Sequence, residues 1–243
     1  MTTRVGTTRN PQTNYKTSEH CVAYLDILGG KNKIYNDNNH EFLNLLNMIY
    51  EDAIEETHFI FRKKDISTRI FSDNILFAIK IEENDNHAEE KISDLLNLTA
   101  NTILEALCYG ILLRGAITLG DFFHNEIFVY GKALVESVEM EEKYAIYPRV
   151  ITTDEVQQIV PQCFYKDPDG LNVFKYLYYV TNPGTISTIQ LNLLNMLKNR
   201  PDKKAEQKIR WAISYFNYYY THLSRSIDKP QITDEDIEKA LKT

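Results

Sequence analysis

The stretch Cys21-Val-Ala-Tyr-Leu-Asp-Ile-Leu28, followed at once by Gly29-Gly30-Lys31, organises the reading of everything around it. Apart from Asp26 the run is apolar at every position, and it is too short for a membrane span. A continuous apolar run of this length predicts a strand covered on both faces. The glycines end it, and a glycine turn after a strand lets backbone N–H groups approach an anion, with Lys31 or Lys33 adding charge there. Asp26 is the exception that matters. A carboxylate inside such a strand is costly without a partner, and either a metal ion or a buried hydrogen-bond donor satisfies that need.

Working outward, apolar spacing at Phe42, Leu45, Leu46, Ile49 and Ile54 predicts a helix over about 41–58. The runs 66–71 and 75–81 flank Ser72-Asp73-Asn74, which reads as a hairpin turn. A second helix is expected over about 88–108, from Ile92, Leu95, Leu96, Leu98, Ile103 and Leu107. Next come a strand over 112–119, a turn at Gly120-Asp121 and a returning strand over 122–129. Gly131 opens an acidic helix through Tyr144, whose Glu136, Glu139, Glu141 and Glu142 read as a solvated face, and 149–151 forms a last core strand. The order β-α-β-β-α-β predicts an α+β, ferredoxin-like antiparallel sheet with helices on one face.

The remainder has a different texture. Thr152-x-x-Glu155 is a capping box for a brief helix, Asp167-Pro-Asp-Gly170 is a turn, and 173–180 reads as a tyrosine-rich strand. Ser187-x-x-Gln190 is expected to cap a helix through Leu197. A long helix covers about 202–224, and Thr233 starts a terminal one. The division is therefore a flexible arm (1–19), a core domain (20–152) and a mostly helical appendage (153–243). Trp211, Tyr215 and Tyr218 share one face of the long helix, a spacing that fits packing.

Composition narrows the function classes. Hydrophobic residues make up 43% and charged residues 25%, enough for a core without disulfide or metal staples. The net charge of −7 argues against a broad nucleic-acid surface but not against a local anion pocket. Cys21, Cys108 and Cys163 are odd in number and far apart, as expected of free thiols in a reducing compartment. The histidines show no HExxH spacing. The polar first residues and the lack of a long apolar run lead us to expect a cytoplasmic protein.

Asp73 gives Asp26 its meaning. In a βαββ unit the first strand lies beside the following hairpin, so the two carboxylates approach each other and repel unless a divalent cation sits between them. Magnesium and manganese favour carboxylates together with phosphate oxygens.

The segments Tyr24-Leu-Asp-Ile-Leu-Gly29, Phe71-Ser-Asp-Asn74, Leu113-Arg-Gly-Ala-Ile-Thr-Leu-Gly120, Gly131-Lys-Ala-Leu-Val-Glu-Ser-Val-Glu-Met-Glu141 and Ala145-x-Tyr-Pro-Arg149 occur in that order. Together they resemble the motifs of class III adenylate/guanylate cyclases. Within that family they most resemble the pyrimidine nucleotide cyclases of bacterial Pycsar antiphage systems. The resemblance covers about 21–151. It implies a cyclase core in which Asp26, Asp73 and the Ile27 carbonyl hold two Mn2+ or Mg2+ ions. Arg69, Tyr24 and the turn Gly29, Gly30, Lys31 would contact a nucleoside triphosphate, although Tyr24 reads equally well as a core tyrosine. It further implies UTP or CTP as substrate, cyclic UMP or cyclic CMP as product, a head-to-tail homodimer with interface sites, and a separate effector responding to the cyclic nucleotide. Val135 and Glu139 depart from the family pattern, which places Asn and Arg there. Either Arg114, Lys132 or Arg149 then supplies the missing cation, or the chain is an inactive nucleotide-binding sensor on the same fold. A polymerase or diguanylate cyclase relative and a purely structural interaction protein are further alternatives.

Overall fold

A computed structural model describes residues 14–61, 66–199, 201–225 and 229–242. The expected arm falls mostly on residues 1–13, outside the described set, as does the side chain of Ile54. Strand β1 (Ser18–Ile27) lies at the centre of a sheet. It pairs antiparallel with β3 (Asn74–Lys80) on one side and with β4 (Leu113–His124) on the other, and β2 (Ile66–Phe71) pairs with β3. Helices α2 (Glu41–Phe61) and α3 (Ala88–Cys108) connect these strands, giving a βαββαβ core with strand order β4-β1-β3-β2. This is the α+β, ferredoxin-like arrangement anticipated from the pattern.

β1 is buried on both faces because two different layers cover it. Cys21, Ala23, Leu25 and Ile27 join the large core beneath α2 and α3. Val22 and Tyr24 face the opposite way, onto Ala133, Leu134 and Val138 of α4 (Lys132–Tyr144). Helices therefore occupy both faces of the sheet, not one. β6 (Val150–Thr152) runs parallel to β4, so the chain must cross over a sheet face between them. α2 and α3 already fill one face, and α4 crosses the other.

Three further expectations change. Residues 113–124 form one unbroken strand, because Gly120 and Asp121 pair with His20 and Glu19 of β1. A long cross-strand partner overrides local turn propensity. The turn comes instead at Asn125, whose side-chain oxygen accepts from the N–H groups of Ile127 and Phe128, and the two-residue β5 (Val129–Tyr130) returns along β4. The tyrosine-rich segment is a strand only over β8 (Asn172–Phe174). Tyr176–Tyr179 then coil into a 3-10 turn that buries Tyr176 and Leu177.

The segment after β6 also adds to the sheet. The brief helix α5 (Asp154–Ile159) has Thr153, not Thr152, at its N-cap position, with no side-chain capping bond; the Thr152 hydroxyl donates instead to the Ile117 carbonyl. β8 pairs with β6, and β7 (Phe164–Lys166) pairs with β8. α6 (Pro183–Lys198) starts at an Asn182 cap with proline at its first position, earlier than the Ser187 start expected. α7 (Lys203–Tyr218) is capped by Asp202, and its last turn widens into a π-helix over Tyr219–Leu223; α8 (Asp234–Lys242) follows. Ile189, Leu193, Ile209 and Ile213 of α6 and α7 bury into the same core as α2 and α3. Among the described residues, no helix is long and apolar enough to cross a membrane.

Candidate active site at the end of strand β1

β1 and β3 bring the two aspartates to the same end of the sheet. Asp26 is directly opposite Asn74, and the Ile27 N–H donates to the Asp73 carbonyl at 3.1 Å. Asp73 lies at the hairpin tip after Ser72, which holds the left-handed conformation (φ 58°). Asp73 Oδ1 accepts from the Ser72 hydroxyl at 3.0 Å, and its Oδ2 lies against Gly30. A Cβ added at Gly30 would stand 2.3 Å from that oxygen, so only glycine lets the turn close over the carboxylate. Gly29, at φ 79°, supplies the left-handed residue that reverses the chain before the short helix α1 (Gly30–Tyr35), on which Lys31 lies exposed.

Asp26 is mostly enclosed, and burial raises its carboxyl above the usual range. Arg114, opposite it on β4, pulls in the other direction: its Nε donates to Asp26 Oδ2 at 2.9 Å, while the nearby Asp73 charge pushes further up. The same Nε lies 2.6 Å from Glu141 Oε1 on α4. That contact is an ion pair with poor hydrogen-bond alignment, since the oxygen remains without a proper donor. Glu141 is 2% exposed, and burial pushes its carboxyl up to about 7 against the pull of Arg114. The expected solvated acidic face of α4 thus loses one member to the interior. Ala133, Ser137 and Glu141 recur every four residues along the buried stripe of α4, and that periodicity is the signal by which Glu141 is legible.

Two tyrosines bracket the carboxylates. The Tyr24 hydroxyl donates to Asn74 Oδ1, so this ring is both a core residue on the α4 face and a wall at the carboxylate end. Burial and then the Asp26 charge push its hydroxyl up to about 12. Tyr50, on α2, is buried with an unpaired hydroxyl and is raised by burial and then by Asp73 and Asp26. It escaped the sequence reading because it lies within an ordinary amphipathic helix.

The cationic candidates separate. Arg69, Leu76 and Tyr24 are directly opposite one another across three strands, and Arg69 donates to the Thr68 carbonyl and, at 2.5 Å, to the Asn125 carbonyl. Lys132 is exposed at the start of α4, 3.8 Å from Asp121, in a cavity of about 640 Å3 shared with Val135 and Glu139. Arg149 is 3% exposed and gives Nη1 to Asp167 and Nη2 to Asp169, each at 2.5 Å. The structure thus gathers Asp26, Asp73, the Gly29-Gly30 turn, Tyr24 and Arg114, and it places Lys132 and Arg149 in other surroundings. Val135 is 57% exposed on the outer face of α4.

The donors present suit a hard divalent ion. Asp26 and Asp73 offer only oxygen, and both the burial that chiefly raises Asp26 and the lesser repulsion from Asp73 are what a bound cation offsets. No cluster of three or more His, Cys, Asp or Glu side chains forms among the described residues, so any such ion would take its other ligands from main-chain carbonyl, water or substrate oxygens.

No family model matches the chain, and no curated protein matches it in sequence. Solved structures do show partial likeness. The monomeric guanylyl cyclase domain of the RhoGC fusion protein from the aquatic fungus Blastocladiella emersonii matches with a TM-score of 0.49 and 12% identity, over 66% of this chain and 97% of that one. The adenylyl cyclase CyaB from P. aeruginosa gives 0.45 and 11%, over 65% and 93% of the two chains. The adenylate/guanylate cyclase/hydrolase from Silicibacter pomeroyi gives 0.45 and 14%, over 66% and 96%.

Proposed function

We propose that this chain is a nucleotide cyclase that converts UTP or CTP into 3′,5′-cyclic UMP or cyclic CMP and pyrophosphate. The observation that carries the reading is the meeting of Asp26 and Asp73 at adjacent strand ends, with Gly30 closing directly over the second carboxylate. Two carboxylates with a glycine turn beside them form a site for divalent ions and phosphates together. The choice of a pyrimidine rests on the resemblance of the motif series to the Pycsar cyclases. With it come the further proposals of a cytoplasmic second-messenger role in antiphage defence and a separate effector that responds to the cyclic nucleotide.

The reaction forms a bond between the ribose 3′-oxygen and the α-phosphorus and breaks the bond from that phosphorus to the pyrophosphate leaving group. Asp26, Asp73 and the Ile27 carbonyl would hold Mg2+ or Mn2+, which when bound lowers the pKa of the 3′-hydroxyl and neutralises charge on the triphosphate. The chain's own contribution is placement. Arg114 fixes the Asp26 carboxylate from the β4 side, and Asn74 fixes Tyr24 as a wall. Gly29 and Gly30 bring main chain close to where phosphate oxygens would sit, with Lys31 beside them and Arg69 further along the sheet face of Tyr24. The exposed outer face of α4, with Tyr130 and Val135 beside it, is the surface through which a second copy would complete the site.

A second reading, a nucleotide-binding sensor without turnover, is favoured by one observation. Arg114 is already engaged by Asp26 and Glu141, and Arg149 by Asp167 and Asp169. Incubating the protein with Mn2+ and each of the four common ribonucleoside triphosphates, with products resolved by mass spectrometry, separates the two. Cyclic UMP or cyclic CMP is the expected product. Saturable triphosphate binding with no cyclic product would establish the sensor, and linear dinucleotides would indicate a polymerase-like relative.

A further inference from the structure

A polyanionic substrate needs several cations, and among the described residues near the carboxylate end of β1 the arginines are already paired, leaving the exposed Lys31 on the turn. The arginine beside Asp26 is shared between two carboxylates, Arg149 is sealed away, and Lys132 lies by Asp121. The appendage supplies what the core lacks. Between the β1–α1 turn and α7 lies a cavity of about 430 Å3, whose wall includes Gly29, Asn32, Lys33, Lys204 and Lys208. Its one carboxylate, Asp202, is occupied in capping α7 through the Ala205 N–H at 2.8 Å.

We propose that this cavity holds the phosphate tail of the nucleoside triphosphate and the pyrophosphate it becomes, with Lys208 and Lys204 of the C-terminal appendage as its anion-binding cations. The assignment rests on the cyclase reading for the identity of the tail, but the chemistry it needs is only that of a polyphosphate. Lys204 and Lys208 are four residues apart and therefore neighbours on one face of α7. Lys208 makes no ion pair among the described residues, and its ammonium is held below the usual range by burial and then by the neighbouring Arg114 charge, while Asp26 acts on it from the site. Lys33, on α1, lines the same cavity, its ammonium 5.5 Å from the Phe42 ring centre.

The lysine face is held rigidly. One turn on, Trp211 stacks on Tyr147 with centroids 5.8 Å apart, and Tyr215 stacks on both Trp211 and Tyr165 at 5.6 and 5.8 Å. This nearly parallel column of rings clamps α7 against the core segment just before Arg149. The stretch of α7 that carries the lysines is thereby docked before any ligand arrives, which lowers the backbone part of the ordering cost of binding. The aromatic residues of α7 thus act as an anchor for the lysines one turn earlier.

The test uses the full chain and inorganic tripolyphosphate without divalent metal, so that it is independent of any nucleotide chemistry. Calorimetric titration should show binding that weakens about 10-fold or more in Lys208→Ala, as expected for the loss of a charged hydrogen-bond donor. Lys204→Ala should weaken it less, Lys208→Arg should restore most of it, and Lys80→Ala, at the end of β3 away from Asp73, should leave it unchanged. With triphosphate and Mn2+, Lys208→Ala should raise KM more than it lowers kcat. Unaltered tripolyphosphate affinity in a folded Lys208→Ala protein, or no binding by the wild type, overturns the assignment. If tripolyphosphate binding depends on Lys208 and no cyclic product forms, the cavity stands and the cyclase reading falls. Cyclic product with the same KM in wild type and Lys208→Ala leaves the cyclase and removes the cavity.

Discussion

Two arginines, Arg149 buried and Arg114 half-buried, each facing two carboxylates, divide this molecule into a part that is finished and a part that is poised. Arg149 donates to Asp167, Asp169 and the Tyr144 carbonyl, and its Nε has no partner among the described residues. Its two aspartates come from the turn before β8, so the cluster closes the core onto the segment that extends its sheet. Arg114 is placed in the same way on a neighbouring strand, yet its cluster is left open. Burial raises Asp167 as well as Asp26, but the Arg114 cluster also holds Glu141, pushed up to about 7, with an oxygen that is poorly bonded among the described residues. Saturated buried networks specify a structure. Unsaturated ones with raised carboxyls mark places where something else is expected to bind.

That contrast can be broken most severely at Arg149. Arg149→Met leaves the half-buried Asp167 and the exposed Asp169 without their cation and should cost about 2–3 kcal/mol in urea unfolding. Folded variant protein should keep its triphosphate KM. A loss under about 1 kcal/mol together with lost turnover would exchange the roles of the two clusters. Next in size is Asp26→Asn, which should lower cyclic-nucleotide formation by about 100-fold or more while leaving the thermal midpoint within a few degrees. Retained product and metal affinity in that variant would move the site elsewhere.

The smallest effect is a pH dependence, measured without divalent ions. Glu141 has a folded-state pKa of about 7, above its ordinary value, so the folded protein binds more protons than the unfolded chain between roughly pH 4.5 and 7. Stability should therefore fall as pH rises through that window. Glu141→Gln should remove that part of the slope, making the variant the more stable protein at pH 8 by about 1 kcal/mol. Parallel stability–pH curves for the two proteins would show that Glu141 is ionised throughout and that its cluster is closed after all.

Legibility followed the range of the interactions. The apolar run around Asp26, the hairpin around Asp73 and the amphipathic α3 carry local patterns, and each was readable to within a few residues. Gly120-Asp121 misled because a turn signal in isolation becomes strand when the whole of β1 lies alongside. Glu141 was hidden by its charge, although its four-residue spacing from Ala133 and Ser137 pointed inward. Lys208 was invisible: nothing within α7 distinguishes it from Lys203 or Lys204, and it is the docking of α7, through its buried Ile209 and Ile213 and the Trp211–Tyr147 stack, that brings it to the β1 end.

The amino-acid order alone determined that a βαββαβ sheet would form and that its first strand and first hairpin would each carry an aspartate, because burial periodicity and turn chemistry act over a few residues. Tertiary packing decided which cations those aspartates meet. It committed Arg114 to Asp26 and Glu141, withdrew Arg149 into the sheet extension and brought Lys208 in from a helix more than 180 residues away along the chain. Charges act through space over distances that no local sequence pattern encodes, so their pairing is set only when the layers close.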